Sequence, residues 1–280
     1  IVEAGIKAHA YPGCEVLVAQ GGQVIWNKAY GSPTYDTLRP VQMDDIYDLA
    51  SLSKVAGTTL ALMKLVDEKK IDVDKTLGDY LPELNGKYPY HASLTLSEIL
   101  AHQAGLRPFS PFYLRLMKNG KFIPGVATDT ADASHQMRVA DGIYINQSYR
   151  DSLIKWVLET PTIERGKYVY SDMGMYLLMR LVERVSGMPF DQFLQQNYYA
   201  PLGLATLGYR PYLRFPLDRI MPTEDDTVFR HEQIHGDVHD PGAALMGGIA
   251  GHAGLFSDAR SEERRVGTEC RSRWQPSPST

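Results

Sequence analysis

The stretch CEVLVAQGGQVIWNKAYG alternates apolar and polar residues on both sides of Gly21-Gly22. Two glycines can both take positive φ, which a two-residue hairpin turn requires if its twist is to match that of the strands it joins. The N-terminal region is therefore committed to an antiparallel hairpin, preceded by a short helix over residues 1–9. The period then changes. DDIYDLA reads as a short extended segment, and from Leu52 to about Lys69 the apolar positions Val55, Leu60, Leu62, Met63 and Val66 predict a mostly buried helix. SLTLSEILAHQAGL predicts a helix that starts at a Thr95-x-x-Glu98 capping box and stops at Gly105. Residues 110–146 read as a long polar loop, and further helices are expected over 148–158, 172–186 and 189–198. Strands first, then helices and loops without βαβ alternation, predict an α+β fold with a mainly antiparallel sheet.

Composition bounds the partners. The 280 residues are 44% hydrophobic and 22% charged, enough for a sizeable core. A net charge of -4, with no basic stripe, leaves no footprint for nucleic acid. The longest apolar runs, TTLALMKLV and MYLLMRLV, are broken by Lys or Arg well short of the ~18 residues of a membrane span. No nucleic-acid partner and no transmembrane segment in the visible chain are expected. The opening IVEAGIKAHA has neither an initiator Met nor a signal-peptide pattern. Cys14 and Cys270 are too few for a disulfide framework.

The last twenty residues, SEERRVGTECRSRWQPSPST, show no period and change composition abruptly after GHAGLFSDAR. RSEERRVGTECRSRW resembles a translated sequencing-adapter read. A folded domain is thus expected over 1–260, with a helical subdomain roughly over 52–250, and 261–280 as a non-native or disordered tail.

Ser51 and Lys54, in DLASLSKVAG, carry the chemistry. A serine hydroxyl is a weak nucleophile until a base takes its proton. At i and i+3 on a helix the two side chains share a face, a partly buried lysine can serve as the base, and the helix N-terminus favours developing negative charge. The spacing alone equally fits a capping serine beside a solvated lysine. It recurs at Ser152 and Lys155, inside a predicted helix, where it reads as structural.

IYDLASLSKVAGTTLALMKLVDEKKIDVDKTLGDYLPEL followed by LTLSEILAHQAGL resembles the serine β-lactamase and penicillin-binding-protein superfamily, on the branch of class C β-lactamases and related esterases. Leu77, Tyr80, Leu81 and Pro82, then His102-Gln103-Ala104-Gly105-Leu106, match that family's segments. The resemblance implies a β-lactamase/transpeptidase-like fold, an α/β three-layer arrangement of antiparallel sheet and helices with a helical subdomain, and acylation of Ser51. The family's second motif is Tyr-x-Asn. Tyr144-Ile145-Asn146 and Tyr170-Ser171-Asp172 both fit by spacing, and the context ERGKYVYSDMGMYLLMRLVERVSGMPF assigns Tyr170 as the proton-transfer partner.

Asp172 departs from the pattern. An ionised carboxylate only accepts hydrogen bonds, so Asp172 would stabilise protonated Lys54 and tilt the site from β-lactams towards esters or unusual amides. His252-Ala253-Gly254 imitates the third motif, Lys/His-Thr/Ser/Ala-Gly, which makes His252 a candidate substrate-binding residue beside Asp172. Its flanks, however, look like the family's inter-motif segment, in which a glycine-rich loop leads to a helix. The third motif is then expected beyond 260, the domain incomplete at its C-terminus, and this chain inactive. His231, His235 and His239, with Asp237 and Asp240 nearby, have spacing that could hold zinc on a helix, but Gly236 and Pro241 interrupt it. No metal or cofactor is expected.

Within the family the chain looks most like envelope-protein domains that follow a family-3 glycoside hydrolase, with penicillin-binding proteins second. That implies a small-molecule or peptidoglycan-derived substrate, a periplasmic or cell-envelope setting and an upstream glycoside hydrolase as fusion partner. The expected function is a serine hydrolase acting through an acyl-enzyme on an ester, amide or β-lactam. The alternative is a non-catalytic muropeptide-binding module of the same fold.

Overall fold

The computed structural model describes residues 1–260; the tail expected over 261–280 lies outside them. After helix α1 (Val2–Lys7) come strands β1 (Gly13–Gln20) and β2 (Gln23–Gly31), an antiparallel pair closed by Gly21 and Gly22 at φ +61° and +80°. Both signs are those of the turn the sequence demands. The register shifts between Val18 and Ala19, a bulge that adds local twist.

Strand β3 (Tyr47–Asp48) leads into one long helical segment: a π-helical stretch Lys54–Thr59 continued by α2 (Leu60–Asp67). The wide turns have visible partners. The Thr59 hydroxyl donates to the Lys54 carbonyl (2.9 Å), and the buried Tyr199 hydroxyl to that of Ala56 (2.8 Å). Short helices α3 (Leu77–Tyr80), α4 (Leu84–Lys87), α5 (Pro89–Ala92) and α6 (Leu96–Leu100) follow. The Thr95–Glu98 capping box is present, but α6 ends at Leu100, five residues before the expected stop at Gly105. His102 takes φ +56° instead, held by contacts described below.

Residues 110–146 are not a plain loop. They form a 3₁₀ turn (Phe112–Leu116), the hairpin β4 (Met117–Lys118) and β5 (Lys121–Phe122), and a three-stranded sheet of β6 (Ala127–Thr128), β7 (Met137–Ala140) and β8 (Ile143–Ile145), ordered β6-β8-β7. Then come α7 (Tyr149–Glu159), α8 (Met173–Ser186) and α9 (Phe190–Leu194), the last prolonged by a π-helical turn. In α7, Ser152 bonds its own helix at Ser148 and Lys155 pairs with Glu159, as a structural role predicts. Strand β9 (Gly208–Tyr209), the hairpin of β10 (Glu224–Asp226) and β11 (Glu232–Ile234), helix α10 (Pro241–Ala244) and strand β12 (Leu255–Ser257) complete the described chain.

Among the described residues the paired strands are antiparallel, as expected, with one isolated parallel bridge between Ile46 and Ile220, and β12 is the centre of a sheet ordered β3-β12-β9. The loop GGIAGHAG therefore opens into strand β12, where a helix was expected directly. The core is one contiguous apolar cluster with α8 at its centre, where residues 173–179 are buried without a break. A helix apolar on every side is one enclosed by other elements, so its N-terminus is held from several directions. No described helix is long and apolar enough to cross a membrane.

Candidate active site

Ser51 stands where β3 ends. Asp48 turns the chain there: its Oδ1 accepts the Ala50 N–H (2.8 Å) and its Oδ2 the His239 N–H (2.8 Å). Ala50 pays backbone strain at φ +45°, a conformation that L-residues with a Cβ rarely adopt. The turn delivers Ser51, exposed, to the start of the serine helix. Its carbonyl accepts the Lys54 N–H, and among the described residues its own N–H donates to no backbone carbonyl. That leaves a donor free at a helix N-terminus, where an oxyanion would be stabilised.

Lys54 is 4% exposed. Its Nζ donates to Ser51 Oγ at 2.9 Å, pairs with Asp172 Oδ1 at 2.6 Å, and lies 4.6 Å from the centroid of the Tyr170 ring. Ser51, Lys54, Tyr170 and Asp172 thus meet at one point. Tyr144 stands elsewhere, in β8, hydrogen-bonded to Arg138, and Asn146 caps the turn before α7 by accepting from Ser148 N–H.

Two latches hold the tyrosine. Arg165 clasps Glu98 with two nitrogens, each at 2.7 Å, which together with the Thr95 N–H and hydroxyl keeps the Glu98 carboxyl at about 2. The second latch is His102, a residue whose segment the sequence marks but to which it assigns no role. Its Nδ1 accepts the Ser171 N–H (3.1 Å), its carbonyl accepts from Val169 (2.8 Å), and its ring lies 4.6 Å from that of Tyr170. Burial first, and the positive charge of Lys54 next, push the His102 imidazole below its ordinary range. It therefore stays a neutral acceptor for Ser171.

His252 is drawn to this place from a different direction than expected. It is 2% exposed, and its Nε2 lies 2.8 Å from Asp240 Oδ1. It is buried beside Asp172 and Asp240. Ligand atoms of Asp172, Asp240 and His252 all lie within 4.8 Å of one another, the one such set among the described residues. Lys54 already supplies a cation to its Asp172 member. The spaced histidines do not converge: His231 bonds Gly120, His235 bonds Leu217 and Ile220, and His239 bonds Glu224. Asp237 serves Arg138.

Helices around an antiparallel sheet, with a Ser-x-x-Lys pair where the two meet, make the β-lactamase/transpeptidase-like fold. The family model described as Beta-lactamase matches residues 1–275, and the chain belongs to that family. It is 32% identical over 288 aligned positions to an N-acetylmuramyl-L-alanine amidase of Bacillus subtilis, covering 92% of this chain and 59% of the relative. It is 31% identical to an Escherichia coli protein provisionally named D-alanyl-D-alanine carboxypeptidase, covering 89% of this chain and 57% of the relative. The chain thus spans less than two thirds of the length of these curated relatives. Two solved structures show the same fold. A penicillin-binding protein homologue from Pyrococcus abyssi superposes with TM-score 0.68 at 18% identity, over 95% of this chain and 54% of that one. A class C β-lactamase from Rhodobacter sphaeroides gives 0.62 at 24%, over 94% and 62%.

Proposed function

We propose that this chain carries the acylation centre of a serine hydrolase whose substrates are peptidoglycan-derived peptides or related amides and esters. The observation that carries it is the 2.9 Å hydrogen bond from buried Lys54 Nζ to exposed Ser51 Oγ. Ser51 attacks the carbonyl, Lys54 with Tyr170 moves the proton, and water then releases the acyl group. The names of the relatives support a wall-peptide substrate and, with it, a periplasmic or envelope setting. No described group requires a metal or cofactor for this chemistry.

One observation favours a second reading. Asp172, 2.6 Å from Lys54, stabilises the ammonium, and an ammonium accepts no proton. A non-catalytic module that binds muropeptide ends would tolerate that state. Treatment with a fluorophosphonate separates the two. Covalent labelling of the wild-type chain that is absent in Ser51→Ala supports the hydrolase; no labelling of either supports the module.

A further inference from the structure

Asp240 and His252 take no part in the chemistry above, yet they lie directly behind it. The His252 Nδ1 is buried without a hydrogen-bond partner among the described residues, while Nε2 is 2.8 Å from Asp240 Oδ1 and 3.3 Å from the Tyr176 hydroxyl. Nε2–H is therefore the donor and the Asp240 carboxylate its acceptor. Asp240 is ionised: burial alone would raise its carboxyl, but His252 and the Ala243 N–H hold it at about 2. Lys54 has one carboxylate in contact, Asp172, and an oxygen of Asp240 lies within 4.8 Å of Asp172 in turn. The imidazole occupies Asp240.

The loop that carries His252 cannot swing away, because it is tied to the serine helix on both sides. The Thr58 hydroxyl donates to the Gly251 carbonyl (2.7 Å), and the Leu255 N–H donates to the Ser53 hydroxyl (3.1 Å). The charged and titratable groups beside the imidazole are Asp240 and its neighbour His239, Asp172 at the N-terminus of α8, Tyr176 from α8, and Asp48 through His239, with Lys54 reached through Asp172. A carboxylate freed among these would turn to the nearest cation.

We propose that His252 is a positioning residue: its N–H holds the Asp240 carboxylate away from the Lys54–Asp172 pair, so that Lys54 Nζ stays aimed at Ser51 Oγ and able to release its proton. The effect on rate rests on the hydrolase reading; the effect on geometry does not.

Three variants test it. His252→Gln keeps an N–H donor, His252→Ala removes it, and Asp240→Asn removes the charge being held. For each, the crystal structure gives the Lys54–Ser51 separation, and fluorophosphonate labelling is timed from about pH 5 to 9, with and without chelator. In His252→Ala the separation should open beyond hydrogen-bonding distance and labelling should slow about ten- to a hundredfold below neutral pH. The rising limb of its pH profile should move towards alkaline pH. His252→Gln should stay within about threefold of wild type, and Asp240→Asn should move the limb in the acid direction.

An unchanged separation in His252→Ala overturns the proposal. So does a loss that is equal at every pH and not rescued by Gln, which would mark a packing role, or abolition of wild-type labelling by chelator with recovery on zinc, which would make the cluster a metal site. Should His252→Ala fail to fold, the opposite limb shift of Asp240→Asn decides alone. If the wild-type chain takes no label, the hydrolase reading falls, and the separations in His252→Gln and His252→Ala still decide the positioning role.

Discussion

Asp172→Asn isolates the feature in which this site departs from the Tyr-x-Asn pattern. The Lys54–Asp172 pair is 2.6 Å long, with side chains 6% and 21% exposed. Unit charges at that separation attract by about 1.6 kcal/mol in water's dielectric and about 6 kcal/mol at an effective value of 20. Lys54 is closed off and Asp172 is partly exposed, which places the pair inside that range, at about 3 kcal/mol. Replacing the anion with its isosteric amide removes that attraction and frees Lys54 Nζ for Ser51, so Ser51 labelling should quicken by up to about a hundredfold. Folding should be little affected, since Asn serves as well as Asp at the start of α8 and the crowding with Asp240 is relieved. The assay is fluorophosphonate labelling across pH, followed by turnover of a matched ester and β-lactam. An unchanged labelling rate refutes Lys54 as the base restrained by Asp172. An unchanged ester to β-lactam ratio refutes the idea that the carboxylate selects against β-lactams.

Ala50→Val should cost about 1–2 kcal/mol in urea unfolding, because a β-branched side chain is least tolerated at positive φ, whereas Ala50→Gly should stay within about 0.5 kcal/mol; equal effects would mean that no strain is held there. Arg230→Met strands the buried Asp226 carboxylate and should cost about 3–5 kcal/mol at neutral pH. Burial would raise that carboxyl, but the Phe229 N–H and the Arg230 side chain hold it at about 2, below its ordinary 3.8, so its stabilisation is complete above pH 3.8 and lost as pH falls towards 2. Urea midpoints along that interval should converge for wild type and variant. Gly251→Ala should slow Ser51 labelling and lower thermal stability together, since its Cβ would collide with the Met175 carbonyl and come 2.7 Å from the Thr58 hydroxyl. Labelling of wild-type Ser51 should be indifferent to chelator; sensitivity would revive the zinc reading.

The parts of the fold that sequence discloses are those whose cause is local. The Gly21-Gly22 turn needs only two positive φ angles, and α8 only an unbroken helical segment ending before Gly187 at φ +69°. The β4–β5 turn was equally available, since Asn119-Gly120 takes φ +52° and +72°, yet the polar composition around it hides a hairpin two residues deep on each side. α6 falls short of Gly105 for a reason no local pattern contains: His102 is pulled into a left-handed conformation by Ser171 and Val169, almost seventy residues away. The π-helical turns after Lys54 likewise depend on a hydroxyl delivered by Tyr199.

The site divides along the same line. Ser51 and Lys54 are legible because one helical turn places them, and Tyr170 because a long helix begins three residues after it. Asp172 was legible as an oddity, and its 2.6 Å pairing with Lys54 is the electrostatic consequence expected of a carboxylate in an amide's place. His252 shows the limit. Its segment imitates a motif that faces substrate, but a histidine's task is set by what its nitrogens meet, and here Nε2 meets Asp240 and Tyr176 in a buried place. Twelve residues separate His252 from Asp240 in the chain and eighty from Asp172, with no periodicity linking them. Only the packing of α8 against the serine helix and the Gly251 loop makes the three neighbours. An aspartate in the amide's position thus arrives together with a second carboxylate and an imidazole to hold it, and the gain in labelling rate expected for Asp172→Asn should be smaller when His252 is alanine, because Asp240 then supplies part of the lost charge. Labelling profiles of the double variant measure that coupling, and strict additivity would show that the two carboxylates do not share the lysine.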